Sequence, residues 1–485
     1  MKVTWRQKEG RVQAAQATMS RQSFIRDDIF PFFCFIFYHF HLILQPKPNE
    51  MNYWNEKMEC MGREEMRALQ SERLRNIVRY TYERVPFYRA RMDEAGVKPE
   101  DINSIDDIVK LPFMQKKDLR DNYPTGMFAA PLTDIVRFHA SSGTTGKPIV
   151  AGYTRADIDN WAEGIARCFT AYGVRKNDIA QISYGYGLFT GGLGVHEGAT
   201  RVGCGVLPAS TGNTAKQMML MKDLGSTVLC STPSYALYLA EAIEQNPDID
   251  MADLKLRIGV FGAEPWTDAM RHTLEEKLRI KAFDIYGLTE VSGPGVGGEC
   301  ECQSGTHIWE DLFYPEIIDP VTLQPVADGQ EGELVFTTLL KEGMPVIRYR
   351  TRDLTRLLRG RCACGRTAVR MGKIMGRSDD MLIIRGVNVF PSQVEAVIME
   401  MPEFTGQYFI TVDRVDNVDT FDIDVELGME HYSDSMDHMH RIKLRLVDHL
   451  VSVLGIKPNV HIVEPGSIER SVGKAKHVSD KRTLQ

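Results

Sequence analysis

Between about residues 155 and 290, helical stretches alternate with short apolar runs, and nothing else in this sequence restricts its fold so strongly. The runs are Ile179–Tyr184, Thr227–Cys230, Leu256–Phe261 and Ala282–Ile285. Strand-length apolar runs separated by crossover-length helices predict a layered α/β domain with largely parallel strands. Ahead of it, residues 66–95 carry apolar positions at helical spacing (Leu69, Leu74, Ile77, Val78, Tyr82), interrupted at Pro86. Behind it, residues 306–361 turn β-rich, with strands expected at Gly332–Leu339 and Pro345–Arg350. This reads as a barrel or sheet subdomain over about 300–375, appended to the α/β core.

A polar joint follows at Gly376-Arg377-Ser378-Asp379-Asp380, and past it the order of elements changes. A strand is expected at Met381–Ile384, a helix from Pro391, and strands at Tyr408–Val412 and Asp422–Leu427. A long helix across 434–454 and a strand at Asn459–Val463 complete a small α+β lobe of about 105 residues. The chain therefore divides into a large multi-layer α/β domain, 51–378, and a small C-terminal lobe, 379–485. The 485 residues exceed what one hydrophobic core usually serves, which agrees with that division.

The first fifty residues differ from the rest. Ile29–Leu44 is apolar and aromatic, yet shorter than the ~20 residues of a spanning helix, and it contains Pro31, His39 and His41. Residues 1–50 are expected to be a non-native or disordered extension, with the enzyme-like sequence starting at Met51. A formal charge of −7 argues against nucleic acid or an anionic membrane as the main partner. The nine cysteines are odd in number and include two tight Cys-x-Cys pairs. They suit a reducing compartment, and the expected location is cytoplasmic.

Five motifs carry chemistry. Ser141-Ser142-Gly143-Thr144-Thr145-Gly146-Lys147-Pro148 packs glycines, hydroxyls and a lysine as a phosphate-gripping loop requires. It is not a P-loop: two residues separate Gly143 from Gly146, and Pro148 follows the lysine. Asp284-Ile285-Tyr286-Gly287-Leu288-Thr289-Glu290 follows an apolar strand, so it falls at a strand's carboxyl end, the usual ligand position in open α/β sheets. Tyr286 offers a flat face to a base, Thr289 a donor to phosphate, and Glu290 a hard oxygen for Mg²⁺. Tyr349-Arg350-Thr351-Arg352-Asp353-Leu354 places a carboxylate where ribose hydroxyls could be accepted. The fourth is Gly376–Pro391 on the joint, and the fifth is Arg470-Ser471-Val472-Gly473-Lys474-Ala475-Lys476.

In this order, the five motifs resemble the adenylate-forming (acyl-CoA synthetase) superfamily. GYGLFTGG (185–192), FGAEPW (261–266), IYGLTEVSGPGV (285–296), IWEDLFYPEIIDP (308–320) and SDDMLIIRGVNVFPSQVE (378–395) look like its phenylacetate–coenzyme A ligase branch. The resemblance covers 51–485. It implies ATP-dependent activation of an aryl acid, foremost phenylacetate, to an acyl-adenylate and then to a coenzyme A thioester. By match to the family's motifs, Ser141 to Lys147 hold the departing phosphates, Thr289 the α-phosphate and Glu290 Mg²⁺. Asp353 binds the ribose, Asp284 and Tyr286 flank the adenine, Ile285 and Gly287 also belong to the ATP/AMP site, and Arg377 sits near the nucleotide. Asp379 matches the hinge, and Lys474 is the mobile lysine that bridges carboxylate and α-phosphate, with Lys476 as its competitor. Tyr184, Tyr186, Phe189 and the Gly262-Ala263-Glu264-Pro265 turn are candidates for the acyl pocket, the turn also reaching the nucleotide. The expected partners are the acid, ATP and coenzyme A, with a second copy of the chain as a further expectation. Another aryl acid or another acyl acceptor is the alternative, and a silent nucleotide-binding relative is the alternative of a different class.

Cys300-Glu301-Cys302 with His307 lies before the β-rich region, and Cys362-Ala363-Cys364 lies beyond it. Two thiolate-rich knots could close a structural zinc site. The favoured ligands are Cys300, His307, Cys362 and Cys364, with Cys302 as substitute.

Overall fold

The computed structural model describes residues 52–141, 148–378, 382–385, 387–415, 418–432, 436–470 and 477–482, and structural statements below concern these. The chain enters through helix α1 (Arg63–Arg84), and Pro86 ends its pattern by opening a separate helix, α2 (Pro86–Glu94). Pro fits there because the first helical turn needs no backbone donor from it. A hairpin of β1 (Arg137–Ala140) and β2 (Val150–Tyr153) follows, then helix α3 (Arg155–Ala171), capped by Thr154 and Asp157.

The expected alternation is present. β3 (Ile179–Ile182), α4 (Thr190–Val202), β4 (Gly205–Leu207), α5 (Thr214–Leu224), β5 (Val228–Ser231), α6 (Pro233–Glu244), β6 (Ile258–Gly262), α7 (Asp268–Leu278) and β7 (Lys281–Leu288) follow in turn. β4, β3, β5, β6 and β7 lie side by side in parallel. The apolar runs are continuous because both faces are covered. Val228, Cys230, Val260 and Phe283 join the core that contains Trp161, Phe169 and Trp309. Their neighbours Leu229, Phe261 and Ala282 join the opposite core, formed with α5, α6 and α7 around Met221, Leu239 and Leu274. One strand thus serves two cores by simple alternation.

Beyond β7 the same sheet continues antiparallel through β8 (Gly293–Gly298), β9 (Thr306–Ile308) and two short strands. A second, antiparallel sheet contains β10 (Phe313–Ile318), β11 (Gly332–Thr338) and β12 (Tyr349–Thr355). Regular strand was expected from Pro345 but begins at Tyr349. Arg348 takes a positive φ of 46°, and its guanidinium forks onto Glu316 at 2.9 and 3.2 Å, turning the chain before the strand can start. Between β12 and the joint run β13 (Leu357–Leu358), β14 (Arg370–Met371) and β15 (Gly376–Arg377); the last pairs with β12.

The C-terminal lobe opens with a hairpin, β16 (Leu382–Ile384) and β17 (Val387–Val389), then α8 (Pro391–Met399), β18 (Phe404–Val415) and β19 (Val418–Leu427). Helix α9 (Met436–Leu454), β20 (Asn459–Val463) and β21 (Val478–Asp480) finish it. Its sheet runs β20-β19-β18-β21, with a core of its own in which Ile410, Val412, Ile423 and Val425 meet Ile442, Leu446 and Leu450 of α9. β17 and β21 were not foreseen: each spans only three residues and has no turn signal of its own. No helix among the described residues is long and apolar enough to cross a membrane.

Candidate active site

The site forms at the carboxyl end of β7, where the sheet changes from parallel to antiparallel and a crevice is expected. Gly287 is what allows the turn into β8. A Cβ there would lie 1.8 Å from the Gly293 carbonyl oxygen, inside any permissible contact.

Three residues from distant motifs converge here. The Tyr286 hydroxyl donates to Asp353 Oδ2 at 2.6 Å, and Arg377 Nη1 pairs with Asp353 Oδ1 at 3.0 Å. Asp353 comes from β12 and Arg377 from β15, strands that pair at these very residues. The Asp353 backbone N–H is taken up by Thr351 Oγ1 at 3.0 Å, which fixes the carboxylate. Burial, and then the Asp353 charge, push the Tyr286 phenol well above its ordinary range, so it stays a donor. The result is an anchored anion beside an aromatic ring, suited to a ribose and its base.

Asp284 lies two residues back from Tyr286 on β7. Burial and the neighbouring Glu299 raise its pKa to about 7, against a hydrogen bond from Trp266. Glu299 is itself forked by Arg271 at 2.8 and 2.9 Å and accepts the Asp284 N–H at 2.8 Å. Ile285 turns its side chain into the core, leaving only its backbone for a ligand.

At the other end of the loop, Thr289 Oγ1 lies 3.3 Å from Thr190 Oγ1 at the start of α4. Glu290 is buried, with Lys116 Nζ 3.2 Å from its Oε1. Ser141 closes the end of the β1–β2 hairpin, its N–H to Ile149 O at 3.0 Å and its Oγ to Ile149 N at 3.1 Å. Ser142, Gly143, Thr144, Thr145, Gly146 and Lys147 lie outside the described residues, as do Asp379 and Lys474.

Of the acyl-pocket candidates, Tyr184 is buried in the core with its hydroxyl 3.5 Å from Val260 O. Tyr186 is half-buried, and its hydroxyl meets His196 Nδ1 of α4 at 3.2 Å. Phe189 is half exposed. The Gly262–Pro265 turn follows β6. Ala263 sits at φ 73°, a left-handed conformation rare for alanine, and Glu264 Oε1 accepts the Ser234 N–H at 2.8 Å. Lys116, Thr190, His196 and Trp266 are neighbours that sequence reading missed. Lys116 and His196 stand outside the motifs, while Thr190 and Trp266 lie inside GYGLFTGG and FGAEPW without a spacing that singled them out.

Away from this crevice, Cys300, His307, Cys362 and Cys364 are all buried, their ligand atoms within 4.8 Å of one another. Cys300 Sγ is 3.7 Å from Cys362 Sγ, and Cys364 Sγ is 3.5 Å from His307 Nε2. Cys302 stands outside the group.

Residues 68–339 match the AMP-binding enzyme family and residues 386–482 the AMP-binding enzyme C-terminal domain. The chain belongs to the AMP-binding enzyme family. It is 51% identical over 433 residues to a phenylacetate-coenzyme A ligase of Pseudomonas putida, a match covering 88% of this chain and 97% of that protein. Among solved structures, a 2-hydroxyisobutyryl-CoA ligase in the postadenylation state with R3-HIB-AMP superposes with TM-score 0.84 at 28% identity, over 90% of this chain and 94% of that one. The same ligase with 2-HIB-AMP and CoA in its thioesterification state gives 0.67 at 29% identity, over the same shares.

Proposed function

We propose that this protein is an AMP-forming ligase that joins phenylacetate to coenzyme A. The observation that carries this reading is the 51% identity spanning 97% of the Pseudomonas putida phenylacetate-coenzyme A ligase. In the first step an oxygen of the acid's carboxylate attacks the α-phosphorus of ATP and pyrophosphate leaves. In the second the coenzyme A thiol, losing its proton, attacks the carbonyl carbon of the acyl-adenylate and AMP leaves.

The site residues divide this work. Asp353 accepts the ribose hydroxyls, held by Tyr286 and Arg377, and so fixes the nucleotide's distance from the phosphate end. Thr289 donates to the α-phosphate. The Ser141–Lys147 loop grips the β,γ-phosphates. Lys474 neutralises the two anions that must approach one another, where charge builds in the transition state. Asp379 serves as the hinge that brings Lys474 in and takes it away. Tyr186 and Phe189, with the Gly262–Pro265 turn, form the acyl slot.

Glu290, a buried carboxylate on the phosphate side with a cation beside it, fits a hard divalent ion. It would hold Mg²⁺, which shields the phosphate charges. The Cys300–His307–Cys362–Cys364 group fits zinc. Three thiols and an imidazole are the donor set of structural sites, and thiolates around Zn²⁺ stand roughly 3.7 Å apart, as Cys300 and Cys362 do. This metal would fasten the Cys362–Cys364 knot to β9, away from the chemistry. Elemental analysis should find one zinc per chain, and a chelator or Cys362→Ser should lower the melting temperature. Metal-free protein that melts unchanged would reject the site.

The substrate is tested by pyrophosphate release across a panel of aryl acids, with and without coenzyme A. Phenylacetate should give the highest kcat/KM. No release with any acid would reject the reading.

A further inference from the structure

The loop between β7 and β8 carries both Thr289 and Glu290, and side chains from two other elements pin a backbone carbonyl of this loop and one at the start of β8. Trp161 of α3 donates its Nε1–H to Pro294 O at 2.7 Å. Lys341, just past β11, donates from Nζ to Val291 O at 2.9 Å. The two pins share one support: the Lys341 ammonium lies 4.2 Å over the Tyr153 ring, and that ring stacks on Trp161 at 5.0 Å and 21°.

Lys341 is an expensive residue in this place. It is only 6% exposed, and among the described residues it has no ion-pair partner; Asp157 and Glu290 act on it from further away. A buried ammonium without a close counter-charge is strongly disfavoured, and methionine would fill the space at lower cost. The neighbouring backbone is also fixed in direction. Asp157 accepts the N–H groups of Thr154, Glu342 and Gly343 at 3.0, 2.7 and 2.8 Å, which sets the turn from which Lys341 projects. A fold that spends a buried charge on one carbonyl, in the loop bearing two site residues, is fixing that loop rather than filling a core.

We propose that Lys341 is a positioning residue of the adenylation step. By holding the Val291 carbonyl it keeps Thr289 and Glu290 in place for the phosphate end of the nucleotide. This rests on the ATP-dependent reading above, and it assigns Lys341 no contact with substrate.

Two variants separate the possibilities. Lys341→Met keeps the bulk and removes the donor, whereas Lys341→Gln keeps a donor and removes the charge. Three readouts apply to the full chain: ATP–pyrophosphate exchange with phenylacetate, thioester formation from preformed phenylacetyl-adenylate and coenzyme A, and the rise in melting temperature caused by ATP with Mg²⁺. Lys341→Met should lower kcat of exchange by about tenfold or more, the scale of one lost hydrogen bond to a charged group, with KM for the acid unchanged. It should also shrink the nucleotide-induced rise in melting temperature, and leave the thioester step within about twofold. Lys341→Gln should recover most of both losses. A Met variant equal to wild type in exchange and in the melting shift overturns the proposal. So does an equal loss in both half-reactions that Gln fails to rescue, because that is a general structural role. Should wild type activate no aryl acid, the functional reading fails on the exchange arm, and the melting shift alone decides the role of Lys341.

Discussion

Asp353 is where single-residue chemistry bears most weight, since Tyr286 and Arg377 both spend their polar groups on holding it. Asp353→Asn removes a charged acceptor while keeping the shape. It should raise KM for ATP by about tenfold or more, the scale of one or two charge-assisted hydrogen bonds. KM for the acid should stay unchanged, and nucleotide titration calorimetry checks the same loss as binding. An unchanged ATP affinity would remove Asp353 from the nucleotide site. This trio was legible in the sequence, because each member stands in a motif whose chemistry is local. Lys116, Thr190, His196 and Lys341 were not. Their neighbours come from elsewhere in the fold, and a lone lysine or histidine in an ordinary segment, or a threonine among motif glycines, looks like a solvated or core residue.

At the level of elements, strand existence was readable wherever an apolar run had both faces to bury, as in β5, β6 and β7. It failed where one contact overrode the pattern, as Arg348 does, and where a strand of three residues is defined only by its partner, as β21 is by β18. Helix α8 offers a test of its own. Glu395 is buried there, one oxygen accepting from the Tyr408 hydroxyl at 3.3 Å and the other, among the described residues, without a hydrogen-bond partner. Burial, and then Glu264 in the turn after β6, raise its carboxyl from 4.5 to about 8. A carboxyl that holds its proton more tightly when folded stabilises the fold most below pH 4.5. That contribution is lost as pH climbs toward 8. Glu395→Gln mimics the protonated form. Its melting temperature should match wild type near pH 5 and exceed it by a few degrees at pH 8. Parallel curves across that range would show that Glu395 does not carry the effect.

Among the described residues, the two lobes meet through Met399, packed on the core of α5, α6 and α7, and through polar contacts. The Ser392 hydroxyl donates to Met375 O at 2.6 Å, and Arg470 forks onto Glu426 at 2.6 and 2.9 Å while lying 3.9 Å from Glu241 of α6. The better superposition on the postadenylation state than on the thioesterification state shows which of those two arrangements this structure resembles more. Lys474, four residues beyond Arg470 in the sequence, is the proposed cation of the first step. Lys474→Ala should slow pyrophosphate release by at least about a hundredfold, the scale of one lost transition-state charge contact. ATP binding and thioester formation from preformed adenylate should survive. Near-normal release would pass the role to Lys476 or another cation.

In an acyl-adenylate route, the acid's own carboxylate oxygen ends up in AMP. Phenylacetate labelled with ¹⁸O in its carboxylate, turned over with ATP and coenzyme A, tests this by mass spectrometry of the nucleotide product. One labelled oxygen should appear in AMP, with phenylacetyl-coenzyme A formed in equal amount. Unlabelled AMP, or ADP with the label in inorganic phosphate, would rule out an acyl-adenylate intermediate.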